Sequence, residues 1–327
     1  MNNIKRPKVS VIVAVYNVEQ YVERCAHSLF NQTLDSMEYI FVDDCTPDNS
    51  IELIKKVLES YPQREAQVKF IHHKTNQGQA AARTTGMKAA TGEYIIHCDP
   101  DDWVDLDTYE LMYRAAHPEG RKPIDVVLCN YMLHEKGGEK KGHIREFELP
   151  QDYIKYVYEK HASIFFLPIR LVSLDLIKAH SIYPFPDINF GEDRNVSIRI
   201  NHYAKTVLIL PQHFYHYNKL NQNAITRSSR DKKLWKSWKH NVDLISDFLL
   251  SENKKEYRKA SNYLKFDAKM QFQNIFDDDL RWFNLYRECH RDIMWFKENS
   301  LRSRIILTLV LSNVLFFKFY IMLKRLL

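Results

Sequence analysis

Residues 9–16, Val-Ser-Val-Ile-Val-Ala-Val-Tyr, form a nearly unbroken apolar run, and it restricts the fold more than any other stretch. A strand that is apolar on both faces must be covered on both, as in the middle of a parallel sheet flanked by helices. The next ninety residues keep to that pattern. Asn17 is placed to cap a helix in which Val18, Tyr21, Val22, Cys25 and Leu29 recur at helical spacing. A second strand at 39–42 ends in Asp43-Asp44. A turn at 46–50 leads into a helix with Ile51, Ile54, Val57 and Leu58 on one face. A third strand at 68–71, a helix at 79–90 and a fourth strand at 94–97 follow, the last ending in Asp99-Pro100-Asp101-Asp102. Strands alternating with helices predict an α/β protein built of βαβ units around a largely parallel sheet.

Beyond Asp105 the pattern is mixed: a helix to about 116, strands at 126–129, 164–167 and 213–217, a Gly- and Lys-rich turn at 136–142, and a helix at 193–202. From 231 onward the chain reads as helical. Charge divides at a similar place. Residues 1–218 hold 25 Lys and Arg against 29 Asp and Glu, and residues 219–327 hold 22 against 12, so the net +6 is an acidic part followed by a basic one. The five cysteines are scattered and odd in number, without C-x-x-C spacing, which suits a reducing compartment. The first residues lack an apolar segment of the secretory type, so no cleaved export signal is expected.

Ligands of open α/β sheets bind at the carboxyl ends of the strands. Two acidic strand ends therefore gather at least four carboxylates on one edge, a repulsive arrangement that a divalent cation relieves, and all-oxygen donors suit Mg²⁺ or Mn²⁺ better than zinc. The competing reading is helix caps and solvated loops. No G-x-G-x-x-G follows the first strand and no Walker lysine loop occurs, which disfavours dinucleotide-binding and P-loop enzymes. An acid pair directly after the first strand, as a phosphoacceptor domain has it, is also missing, since Tyr16-Asn17 stand there.

Together, four segments resemble glycosyltransferase family 2: the first strand through Tyr16-Asn17; Val42-Asp43-Asp44 through Ser50; Asn76-Gln77-Gly78 through Ala82-Arg83; and Gly92-Glu93-Tyr94-Ile95 leading to Asp99-Pro100-Asp101-Asp102-Trp103. The later Gly191-Glu192-Asp193-Arg194 and Tyr215-His216-Tyr217 look like the family's acceptor-side motifs. The resemblance covers about 7–230 and implies a GT-A nucleotide-diphospho-sugar transferase fold, Rossmann-like with a mixed sheet, followed by a C-terminal helical extension. It implies three parts: a nucleotide-sugar-binding half at 1–105, an acceptor-binding half at 106–230, and a basic helical region at 231–327.

The activity implied is inverting, metal-dependent transfer of a single sugar from a nucleotide-diphosphate donor, expected to be a UDP-sugar, to an acceptor hydroxyl in bacterial surface polysaccharide assembly. Tyr16 falls where a ring lies against the nucleobase, although a core aromatic at a strand end is the simpler alternative. Asp44 falls where a carboxylate accepts a hydrogen bond from the base. Asp99, Asp101 and Asp102 match the D-x-D motif, with Asp102 expected as principal ligand of Mn²⁺ or Mg²⁺ and Asp101 at ribose and metal. Gly78 and Arg83 lie around a helix start that suits phosphate, Arg83 either touching the donor or pairing with nearby aspartates. Asp193 matches the catalytic base, and His216 either touches the diphosphate or is a satisfied structural histidine. Ala14, Cys45, Asn218 and Ala224 depart from the family's usual residues. No Q-x-x-R-W of processive relatives occurs. A non-catalytic nucleotide-sugar-binding scaffold is the alternative function; a nucleotidyltransferase would show a Gly- and Arg-rich loop near the first strand.

Residues 305–317 are uncharged and strongly apolar, and the run reaches Leu323 only by including Lys318. A spanning helix needs about 20 apolar residues, so a helix that is interfacial or packed against protein is expected. Arg302, Arg304, Lys324 and Arg325 flank it and suit anionic headgroups. This argues for peripheral attachment to the cytoplasmic face of the membrane, near a glycan or lipid-linked acceptor, and against a nucleic-acid partner.

Overall fold

The computed structural model describes residues 6–144, 147, 149–150, 152–159, 165–185, 187–188, 190–221, 232–271, 279–296, 301–313 and 315–318. The strands are β1 (Val9–Val15), β2 (Met37–Asp43), β3 (Val68–His72), β4 (Tyr94–His97), β5 (Trp103–Val104), β6 (Val126–Glu135), β7 (Gly138–Gly142), β8 (Arg170–Ser173) and β9 (Val207–Asn218). The helices are α1 (Val22–Phe30), α2 (Ser50–Leu58), α3 (Gln79–Ala89), α4 (Thr108–Ala116), α5 (Asp152–Glu159), α6 (Leu174–Ala179), α7 (Glu192–Tyr203), α8 (Lys232–Ser251), α9 (Lys255–Gln271), α10 (Asp279–Asn284) and α11 (Leu301–Ser312). They fall into two compact units: Met1–Pro150 with Phe165–Asp187 and Glu192–Asn223, and Gln151–Ile164 with Ile188–Gly191 and Ala224–Leu327.

In the first unit the described residues form a nine-stranded mixed sheet, ordered β3-β2-β1-β4-β8-β6-β9-β5 with β7 beside β6. The apolar run is its centre: β1 is hydrogen-bonded to β2 on one side and β4 on the other, parallel to both, with Val9, Val11, Val13 and Val15 inaccessible to solvent. Val15 pairs with Asp43 and Ile12 with His97, so Tyr16, Asp44 and Asp99 emerge from one edge of the sheet. Helix α3 lies close on β1. A Cβ on Gly86 would meet Ile12 Cγ2 at 2.4 Å, so the helix carries a glycine at the contact.

Three local expectations are corrected. Asn17 does not cap α1. It takes a left-handed φ of 53° and gives its backbone N–H to Thr46 Oγ1, and the helix starts five residues later at Val22. The turn at 136–142 is a hairpin: Glu135 pairs with Gly138 across Lys136-Gly137, and Gly138 has a φ of 108°. The strand expected at 164–167 is a 3-10 turn at Leu167–Ile169, with strand β8 beginning at Arg170; residue 164 is outside the described residues. The short β5 and helix α6 had no separate signal.

In the second unit α8 and α9 pack together, and α5 packs on α9. Lys269 of α9 is buried, and its ammonium donates to Phe283 O (2.7 Å), Leu285 O (2.9 Å) and His290 Nε2 (2.8 Å), which uses all three N–H groups. His290 Nδ1 donates to Leu311 O at 3.0 Å and so ties α11 to the same cluster. Leu311 and Phe317 are buried, Phe317 stacking on Trp282, while Ile305, Ile306, Leu309, Leu315 and Phe316 are exposed. No helix among the described residues is long and apolar enough to cross a membrane. Lys324 and Arg325 lie outside the described residues, as does the side chain of Arg302.

Candidate active site

The carboxyl edge of the sheet carries three linked groups. The first surrounds Asp44, which is 2% exposed. Its Oδ1 accepts from Gln77 N (2.9 Å) and His73 Nδ1 (2.7 Å), and its Oδ2 from Gly78 N (2.7 Å). Gly78 has a φ of 90° at the start of α3, a conformation that suits a residue without Cβ. Nearby Tyr16 is 46% exposed, so it is not a core aromatic. The loop that follows β1 is laced to the one that follows β2: Val18 N donates to Ser50 Oγ, Glu19 N to Asp48 Oδ2, and Asn49 N to Glu19 Oε2.

The second group centres on Arg83 of α3. Its guanidinium is buried and meets three carboxylates: Asp99 at 2.7 Å, Glu192 at 2.6 Å, and Asp193. With its amide oriented to satisfy both neighbours, Gln79 donates to Glu192 Oε1 and accepts from Arg83 Nη2. Burial disfavours the Arg83 charge, but Asp193, Asp99 and Glu192 together hold it protonated, well above the ordinary range. One guanidinium for three carboxylates leaves an excess of negative charge. Burial pushes the Glu192 carboxyl up to about 7 against the pull of Arg83. Asp193, in the first turn of α7, is raised for the same reason, with Arg83 opposing and Asp99 adding to the shift.

The third group is the loop between β4 and β5. Asp102 is completely buried, accepting from Tyr215 Oη (2.5 Å) at Oδ2 and from Asn218 N (2.7 Å) at Oδ1. Burial and then the charges of Asp101 and Asp99 raise its pKa well above the carboxylate range. Asp101 accepts from Asn221 Nδ2 at 2.8 Å and is pushed up to about 6 by burial and by Asp99. The Asp99 side chain is 18% exposed.

The sequence-derived residues thus gather in one unit, and for two of them the structure takes one of the alternatives left open. Arg83 takes the ion-pair alternative. His216 has both ring nitrogens engaged, Nε2 with Asp105 (2.9 Å) and Nδ1 with His134 (2.9 Å), and its ring stacks on Trp103. Gln79, His73, Thr85 and Asn221 were not singled out from the sequence, and Tyr215 was read only as part of an acceptor-side motif. Among the described residues no cluster of three or more His, Cys, Asp or Glu is arranged to hold an ion. Asp99 and Asp101 nevertheless fit a hard cation: both are oxygen donors, and after burial it is the charge of Asp99 that raises the pKa of Asp101, a repulsion that a divalent ion would relieve.

The sequence profile described as glycosyl transferase family 2 matches residues 10–181. The chain belongs to glycosyltransferase family 2. It is 34% identical over 268 residues to EpsH of Bacillus subtilis (strain 168), which carries a glycosyltransferase name, covering 78% of this chain and 73% of the relative. Among solved structures, TarS 1–349 of S. aureus in complex with UDP-GlcNAc has a TM-score of 0.59 at 18% identity, over 92% of this chain and 90% of that one. A longer TarS chain is 54% covered. The mannosyltransferase PcManGT of Pyrobaculum calidifontis, in complex with GDP-Man and Mn²⁺, has a TM-score of 0.57 at 15% identity, over 94% and 87%. The fold of this family-2 glycosyltransferase is GT-A, a mixed α/β sheet followed by helices.

Proposed function

We propose that the chain transfers a single sugar, with inversion and with a divalent metal, from a UDP-sugar to an acceptor hydroxyl in bacterial surface polysaccharide assembly. The observation that carries this reading is the Arg83 hub, which ties Asp193 to Asp99 of the acidic loop and so links the acceptor-side carboxylate to the donor-side one. The UDP-GlcNAc complex of TarS supports the donor, and the likeness to EpsH supports glycosyl transfer.

In this reading residues 1–105 hold the donor and 106–230 the acceptor. The Tyr16 ring lies against the base, and Asp44 accepts the base N–H. Asp99 and Asp101 would hold the metal; Asp102, with both oxygens bonded inside the protein, holds the loop in shape and leaves the ligand role to Asp101. The Mn²⁺ or Mg²⁺ ion, when bound, neutralises charge on the departing diphosphate. Asp193 takes the proton of the acceptor hydroxyl as its oxygen attacks the anomeric carbon, while the bond to the diphosphate breaks and its electron pair leaves with the nucleotide. Burial makes Asp193 a better base than a solvated aspartate. His216 positions β5 against β9 and makes no diphosphate contact.

The exposed apolar side chains of α11 and residues 315–316, beside Arg304 and Lys318, support attachment to the membrane surface on the cytoplasmic side, where a glycan or lipid-linked acceptor is met. The test of function is turnover of UDP-sugars with Mn²⁺. Asp193→Asn abolishes transfer and leaves UDP binding within about threefold of the parent. Full transfer by that variant would remove Asp193 from the mechanism.

A further inference from the structure

Asp44 is held by more than its own loop. The residue after β3, His73, has its side chain 8% exposed, and its backbone N–H donates to Asp43 O at 2.9 Å, placing the ring beside the end of β2. Its two ring nitrogens have different partners: Nδ1 is 2.7 Å from Asp44 Oδ1, and Nε2 is 2.9 Å from Thr85 Oγ1 on α3. A carboxylate only accepts, so Nδ1 carries a proton toward Asp44; in the neutral ring Nε2 then accepts the Thr85 hydroxyl proton. The chain Thr85–His73–Asp44 thus runs from a helix, through a ring pinned at both nitrogens, to the carboxylate.

Counting acceptor positions shows what this does. A carboxylate has about four, two on each oxygen. On Asp44, Gln77 N and His73 Nδ1 fill Oδ1, and Gly78 N takes one position of Oδ2. One position remains. Uracil offers a single N–H between two carbonyl groups, which matches one acceptor position. Guanine offers adjacent N1–H and N2–H groups, which call for two acceptor oxygens side by side.

We infer that His73 is a positioning residue for donor recognition. It fixes the Asp44 carboxylate and occupies the acceptor position that would otherwise let the site take a two-donor base, so the pocket selects uridine over guanosine nucleotides. The inference rests on the reading of Asp44 as the base contact. Thr85 anchors the far side of the ring, and the carboxylate itself sets the tautomer.

The experiment is calorimetric titration of the full chain with UDP, GDP and pyrophosphate, each with Mn²⁺, with melting temperature recorded alongside. His73→Leu is expected to weaken UDP about tenfold or more, to narrow the UDP-to-GDP preference, and to leave pyrophosphate unchanged, because pyrophosphate has no base to read. His73→Asn, whose amide N–H falls near the place of Nδ1, should return UDP to within about threefold; His73→Gln, whose amide reaches toward Thr85 instead, should not. This pair keeps the test available if the leucine variant fails to fold, and a purely structural role would lower all three ligands together. If Asp44→Asn loses UDP while the His73 variants retain both affinity and preference, the positioning role is overturned and the base contact stands. Unchanged UDP binding by Asp44→Asn would overturn the base contact and the positioning role with it.

Discussion

Glu192→Gln should make this protein more stable above neutral pH, although the change removes one arm of an ion pair. Glu192 is buried and lies 2.6 Å from Arg83, yet Arg83 is shared with Asp99 and Asp193, so its single charge does not offset three carboxylates. Burial outweighs the Arg83 attraction and lifts the carboxyl from its ordinary 4.5 to about 7. A carboxyl whose pKa is raised by folding contributes stability that is complete below 4.5 and lost as pH rises through 7. At pH 8 the ionised group therefore costs on the order of 3 kcal/mol relative to its protonated form. Glutamine keeps the oxygen that accepts from Arg83 and carries no charge. The variant should then match the parent near pH 5 and exceed it by roughly 3 kcal/mol at pH 8, a rise in melting temperature of about 4–5 °C for a chain of this length. The assay is urea or thermal unfolding of both proteins across pH 5–8, read as the difference between them so that other titrating groups cancel. A variant less stable than the parent by a constant amount at every pH would refute the reasoning, because it would mean that Glu192 is ionised throughout and stabilised by Arg83.

Four further outcomes can be checked. Tyr16→Ala should weaken UDP binding by about 1–3 kcal/mol, measured by titration, with little change in melting temperature because the ring is half-exposed. Gly78→Ala should lower stability by about 1–2 kcal/mol through its φ of 90°, read from urea midpoints. Lys269→Met should cost about 3–5 kcal/mol, because it leaves two carbonyls and the His290 ring nitrogen buried without their donor, and should release α11, visible as faster amide exchange at 301–312. Leu309→Glu with Phe316→Glu should abolish flotation with anionic vesicles while leaving melting unchanged, since both side chains are exposed.

The central architecture was legible because its signals are local. An apolar run, an acid at the strand end and a helical period each lie within about ten residues, and β1, β2, β4, α2 and α3 appear where they were expected. The failures occur where tertiary context outweighs local preference. Asn17 is a good cap by composition, but its backbone is committed to the loop after β2, which nothing within five residues announces. Strand β8 was displaced because Phe165, Phe166 and Leu167 have strand composition, whereas burial of Leu167 and Ile169 is reached through a 3-10 turn.

For the site, residue types could be read and partnerships could not. Asp99, Asp101 and Asp102 are chemically equivalent in a sequence; what separates them is the neighbour each acquires from a distant segment. Tyr215 and Asn218 on β9 come more than a hundred residues later and enclose Asp102, Asn221 reaches Asp101, and Arg83 reaches Asp99. The same arginine, read from sequence as a donor contact or an ion pair, has both terminal nitrogens of its guanidinium committed to carboxylates. In the proposed mechanism, cationic help for the leaving diphosphate would then come from an ion at Asp99 and Asp101. Removing the metal with a chelator should consequently abolish transfer even with Arg83 intact, and Arg83→Lys should harm folding and the alignment of Asp193 more than affinity for UDP. Loss of UDP affinity in Arg83→Lys at an unchanged melting temperature would show that the guanidinium leaves its carboxylates to meet the donor.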